Sequence, residues 1–270
     1  SGWFKAARDT AEIPPAPPLS SQPVSGKNIL PFPLNKALAP FNQIEIHFET
    51  VSGTTLRINS SMASEISSIR LSGTASLAGE LDLDVDLTTQ DAIETTKFWK
   101  KEPSPAKPRF FDLAGPLQFS GSLTGTLASP HLQGRLTAQQ ALLREKPIGS
   151  LTGDLVLAGK KLSFTKTVLT KSPARYGLSG FLDFNQAEEP QFTINATVSE
   201  GSDKEILGPF LTEFPLQAVV NGNFTVQGNP AQFLLQSKLV LSEGSIYGQH
   251  FQKGEASLEV TRSRVTFTKF

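Results

Sequence analysis

Acid–base, nucleophilic or metal chemistry needs particular side chains brought together, and this chain of 270 residues is poor in them. It has no cysteine, which removes disulfides, thiol nucleophiles and thiolate metal sites together. Its histidines are His47, His131 and His250. His47 falls on the polar side of an alternating run, and His131 follows Ser129-Pro130, which reads as a turn. No G-x-S-x-G elbow presents a serine beside any of them. Phosphate-binding and dinucleotide fingerprints are absent too. Asp82, Asp84 and Asp86 superficially suggest a calcium loop. Leu or Val separates each from the next, however, so alternation puts their carboxylates on the wet face of a strand, ~7 Å apart. A calcium loop instead curls its ligands inward around a glycine. These residues predict neither an enzyme nor a cofactor or metal site.

Bulk composition narrows the remaining classes. Lys+Arg and Asp+Glu both total 25, so the basic excess of a nucleic-acid binder is missing. Hydrophobic content of 38% and charged content of 19% describe a folded chain. A lack of cysteine fits an oxidising, extracytoplasmic compartment. No apolar run reaches the ~20 residues that span a bilayer, and Ser1-Gly2 resembles a cleavage scar. Any membrane anchor is therefore expected in segments outside this sequence. Nineteen Phe stand against two Trp and two Tyr, so nearly every ring lacks the polar handle that suits a half-wet position. A greasy binding surface and a Phe-rich core both fit that bias.

Period-two alternation dominates the elements that would position these side chains. Residues 1–34 are dense in proline and predict an extended linker or poorly ordered lead-in, and NKALAPF, capped by Asn35, predicts a short helical turn. From Phe41 onward, Ile44-Ile46-Phe48, Leu56-Ile58, Ile69-Leu71-Gly73-Ala75 and Leu81-Leu83-Val85-Leu87 each define one apolar face. A hairpin is predicted with Leu151, Leu155 and Leu157 running out, Leu162 and Phe164 running back, and a turn at Gly159-Lys160. In all, roughly a dozen strands are expected. Helices are predicted only at Thr88 to Lys101, before the basic connector KKEPSPAKPR, and at SDKEILGPF, where Ser202 and Glu205 form a capping-box spacing.

An internal repeat organises the chain. PLQFSGSLTGTLASP from Pro116 answers PLQAVVNGNFTVQGNP from Pro215. KLSFTK from Lys161 answers RVTFTK from Arg264, and LSG at Leu71 answers LSG at Leu178. The offsets are all about a hundred residues, longer than the familiar solenoid periods. They divide the chain into a lead-in (1–34), a first unit with a short helix (35–110), a second (111–213) and a third, partial unit (214–270). The expected fold class is all-β with minor α: a long curved antiparallel sheet.

The cadence GSLTGTLASPHLQGRL, followed by GSLTGDLVLAGKKLSFTK, resembles the G-x-L-x-G-x-L-x-x-P-x-L-x-G-x-L signature of TamB and its AsmA-like relatives. LSGTASLAGELDLDVDLTTQD is similar to their paired strands entering a short helix. That resemblance covers about Phe41 to Phe270. It implies a β-taco or half-barrel groove, a protein anchored in the inner membrane of a Gram-negative bacterium and reaching across the periplasm, and a role in moving phospholipid toward the outer membrane. It also implies a BamA-like outer-membrane partner.

A one-sided sheet must bury its apolar face by closing, by packing on another sheet or by holding a ligand. Acyl chains contribute ~0.8 kcal/mol per buried CH₂ with no polar motif needed. Glycines at strand positions let a sheet bend. The expected groove lining is Phe119, Leu123, Leu127, Leu155, Leu157, Phe164, Phe184, Phe192, Ile194, Phe224, Val226, Phe233, Leu235, Leu258, Val265 and Phe267, with phospholipid as the partner and no nucleic acid. Two other readings fit the same pattern: a scaffold that pairs its edge with client strands during outer-membrane protein assembly, and a closed all-β structural module.

Overall fold

The computed structural model describes residues 2–7, 41–92, 113–143, 146–185, 189–206 and 215–269. The expected all-β class is what the chain adopts. Its strands are β1 (Gly2–Ala7), β2 (Gln43–Ser52), β3 (Thr55–Ala63), β4 (Ser67–Ser76), β5 (Glu80–Thr89), β6 (Leu113–Ala114), β7 (Leu117–Thr126) and β8 (Ser129–Leu143). There follow β9 (Lys146–Ala158), β10 (Lys161–Lys171), β11 (Ala174–Asp183), β12 (Gln191–Ser202), the short helix α1 (Asp203–Ile206), β13 (Leu216–Gly228), β14 (Phe233–Ile246), β15 (Gln249–Val260) and β16 (Val265–Lys269).

All of them belong to one 16-stranded antiparallel sheet, a meander in which each strand pairs with the next. Only the two-residue β6 leaves the path, pairing with the far end of β8. The sheet runs unbroken through the expected unit boundaries near 110 and 213: β5 pairs with β7, and β12 with β13. Corresponding repeat segments fall on β4 and β11, on β7 and β13, and on β10 and β16. Each pair is six places apart along the sheet order. An even number keeps strand direction and facing, so Leu71 and Leu178 point to the same side.

Local chemistry explains most turns. Gly159 adopts φ 58° between β9 and β10, where Lys161 pairs with Ala158, as a two-residue hairpin requires. Three expectations shift. Gly2–Ala7, placed by sequence in the proline-rich lead-in, is strand β1, paired in register with β2. Ser129-Pro130 is not a turn: the chain turns at Leu127-Ala128, and Pro130 sits at the start of β8 opposite Gly125, so His131 is a strand residue too. Proline tolerates that position because a strand's first residues lose least by lacking an N–H. Thr88 and Thr89, expected to open a helix, complete β5. The rest of that helix beyond Ala92, the connector KKEPSPAKPR and the Asn35 turn lie outside the described residues.

The backbones approach closely where β7 meets β8. Gly121 pairs directly with Gly134, and a Cβ on Gly121 would collide with the Gln133 carbonyl and the Gly134 backbone. Over Gly134 lies the ring of Phe119, its Cζ 2.7 Å from where a Cβ would stand. At Gly180 the backbone takes φ 155°, a region that admits essentially only glycine.

Candidate functional site

Register carries side chains across the sheet in rows, because directly paired residues share a face. One row runs Ile46, Ser60, Leu71, Val85, Gly121, Gly134, Leu155, then Phe164, Gly180, Ile194, Val226, Leu235, Val260 and Val265. Adjacent rows repeat the theme, so one face is apolar from β2 to β16. The opposite face is polar: Asp84, for example, pairs between Ser72 and Ser122. Asp82, Asp84 and Asp86 line this wet face, and among the described residues no cluster of His, Asp and Glu has metal-binding geometry. The histidines do not meet; His47 pairs with Asn59, His131 with Thr124, and His250 with Ser245.

By register, every residue expected to line a groove lies on the apolar face within its strand, except Leu127 and Phe184. Those two occupy the positions just past β7 and β11 and continue the same alternation into the turns. Burial then separates the set. Leu258 belongs to a packed cluster with Leu216, Val220, Leu239, Leu241 and Ala256, and Phe224 and Val265 pack against it. These three are components of a closed core rather than of an open surface. Phe119, Phe192 and Leu235 are also buried. Leu123, Leu155, Leu157, Phe164, Ile194, Val226 and Phe233 are half-buried, and Leu127, Phe184 and Phe267 are exposed.

The two ends of the apolar face differ. At one end, successive hairpin tips are tied together through the backbone of their hydrophobic residues. Leu77 N donates to Thr54 O (2.8 Å), Leu127 N to Gly79 O (3.0 Å), and Phe184 N to Lys160 O (2.9 Å). With Phe48 and Val51, these residues make an exposed apolar rim, Leu77 being 61% exposed.

The opposite end of β10–β13 is closed by α1. Its Ile206 packs against the core cluster, and Asp203 Oδ1 accepts from Ala218 N (3.3 Å). Glu205 does not turn back as a capping-box partner; it takes Lys171 Nζ and the Tyr176 hydroxyl on β10 and β11. Burial, and then the negative charge and hydrogen bond of Glu205, push the Tyr176 hydroxyl up to about 12.

Sequence reasoning missed this closure. Val220, Leu239 and Leu241 carry the alternation as plainly as their neighbours, yet no local signal marks them as the most buried. Glu205 stands at a capping spacing, and its true partners lie some thirty residues upstream, beyond the reach of any local pattern.

What the arrangement offers chemically is apolar area and shape. Comparison of the chain with protein-family models, with curated proteins and with solved structures finds no match.

Proposed function

We propose that this chain is a periplasmic part of an AsmA/TamB-like protein that holds phospholipid acyl chains against its apolar face and passes them between the inner and outer membranes. The observation that carries the reading is the continuity of that face. It runs in register from β2 to β16, leaves Leu123, Leu155, Leu157 and Phe164 half-buried in its central strands, and reaches solvent at the rim formed by Leu77, Leu127 and Phe184. Among the described residues no second sheet covers it. The central rows, around Leu123, Leu155 and Phe164, are the natural seat for the chains, since the β13–β15 region is already filled by its own side chains. Transfer of this kind needs no catalytic group.

The test is photo-crosslinking in cells from Leu123 and Phe164, with Leu241 as the matched position inside the closed core, followed by lipid mass spectrometry. Phospholipid adducts are expected at the first two positions and not at Leu241. Absence of adducts at all three, together with a lipid-free native preparation, rules the reading out.

A further inference from the structure

Among the strands β2 to β16, every phenyl or phenol ring sits by register on the apolar face except that of Phe181. It pairs with Ser163 and Thr193 on the polar face, and Lys161 Nζ stands 4.0 Å from its ring centre. Its row continues through Thr193 and Gln227 to Leu234. Two turns close the end of this row. The Asn229–Gln232 turn is held by Asn229 Oδ1, which accepts from Ala231 N (2.9 Å) and Gln232 N (2.7 Å). The Thr261–Arg264 turn is held by Thr261 N donating to Arg264 O (2.9 Å).

Between them lies a cleft of ≈ 760 Å³, a size that suits a small organic molecule. Among the described residues that line it, the charged one is Arg262; Gln191, Gln227, Gln232, Thr193 and Ser263 supply neutral donors. Beside the cleft stand Lys161, over the Phe181 ring, and the Glu189 carboxylate, whose Oε2 accepts from Ala231 N (3.2 Å); Arg262 is the charged group that lines the cleft itself. Another concavity of ≈ 690 Å³ on the polar face has the reverse character. It is lined by Asp84, Asp86 and Asp154, with Arg135 paired to Asp154 at 3.0 Å.

We propose that the Phe181–Arg262 cleft binds an oxyanion carried on a flat apolar group, of the aryl phosphate or aryl carboxylate class. The guanidinium fork of Arg262 matches an oxyanion in two-point fashion, the carboxamides and hydroxyls complete its donors, and the ring of Phe181 with Leu234 receives the apolar part in offset contact. Phe181, Thr193 and Leu234 reach this cleft from the polar face, and Phe192 and Phe233 from the end of the apolar face. Leu123, Leu155 and Phe164, the proposed lipid seat, do not line it, so the two proposals are tested separately.

Ligand-observed NMR and calorimetry on the full chain, with phenyl phosphate as the probe, test the proposal. Saturable one-site binding is expected. Arg262→Ala should weaken it by about tenfold or more, the usual scale for a hydrogen bond to a charged group, and Phe181→Leu by several-fold. Arg264→Ala, in the same turn but outside the lining, should leave it unchanged. Inorganic phosphate, which lacks the ring, and benzyl alcohol, which lacks the anion, should each bind more weakly than phenyl phosphate. The proposal is overturned by absence of saturable binding, by equal affinity for inorganic phosphate, or by Arg262→Ala and Arg264→Ala having the same effect.

Discussion

Strands β2–β3 and strands β13–β15 follow the same alternation, yet only the second group makes a dry interior. No residue of β2 or β3 is buried, whereas Val220 is 0% exposed and Leu241 2%. Everything described that packs on the Val220–Leu241 cluster comes from the same sheet or from α1. The difference lies in bending and length. β13 and β14 run 13 and 14 residues, against 10 and 9 for β2 and β3. Register shifts interrupt β12 and β14 at Glu200 and Glu243, both with positive φ. Such bulges increase local twist and turn a strand across its neighbours, which lets one face curl onto itself. Alternation therefore assigns a side chain to a face; bulges and α1 decide whether that face closes.

The largest expected effect follows directly. Leu241→Ala should cost about 2–5 kcal/mol, as large-to-small changes in packed cores do. Ile58→Ala, half-buried on β3, should cost less than half of that, because the site is already partly hydrated and can relax. Urea unfolding of both variants with unchanged slopes checks the pair. Equal losses would break the distinction and make the whole face one continuous core.

How much of this was legible follows from how local each signal is. Two-residue periodicity and the Gly159-Lys160 turn are written within a few neighbouring residues, so the strands, their facing and most hairpins could be read directly. Pro130 misled because the real turn, Leu127-Ala128, contains neither glycine nor proline, while the nearest breaker stands two residues later. The bulges at Gln140, Lys166, Glu200 and Glu243 place polar residues in the left-handed region, where glycine or asparagine would have been the recognisable choice. β1 pairs across a long intervening segment with β2, a contact without local trace. The expected groove lining was placed on its face by alternation alone; which of its members are core was set by curvature, which alternation does not encode.

The α1 closure offers a titration of the boundary between the two regions. Tyr176 bears a hydroxyl raised from 10.0 to about 12, first by burial and then by Glu205. Below pH 10 both folded and unfolded chains keep this proton. Between 10 and 12 the unfolded chain loses it first, so stability falls across that window and levels off above it. Tyr176→Phe should remove this decline, and Glu205→Gln should move the folded titration down toward 10. The chain has two tyrosines, so ultraviolet phenolate absorbance in a Tyr247→Phe background reports Tyr176 alone. A titration unchanged by Glu205→Gln would mean that α1 does not hold its place over β10 and β11.

The smallest effect tests the dryness of the closed region itself. Ser237 lies in register between Phe224 and Leu258, and among the described residues its buried hydroxyl has no hydrogen-bond partner. An unsatisfied hydroxyl in an apolar setting carries a desolvation penalty of about 1–3 kcal/mol. Replacing it with a methyl hydrogen removes that penalty at the expense of little packing. Ser237→Ala should therefore raise stability by up to about 1 kcal/mol, visible as a small upward shift of the thermal or urea midpoint. A fall in midpoint would show that the hydroxyl is solvated by water entering between β13 and β15. The contrast with β2 and β3 would then be one of degree, with the apolar face wet along its whole length.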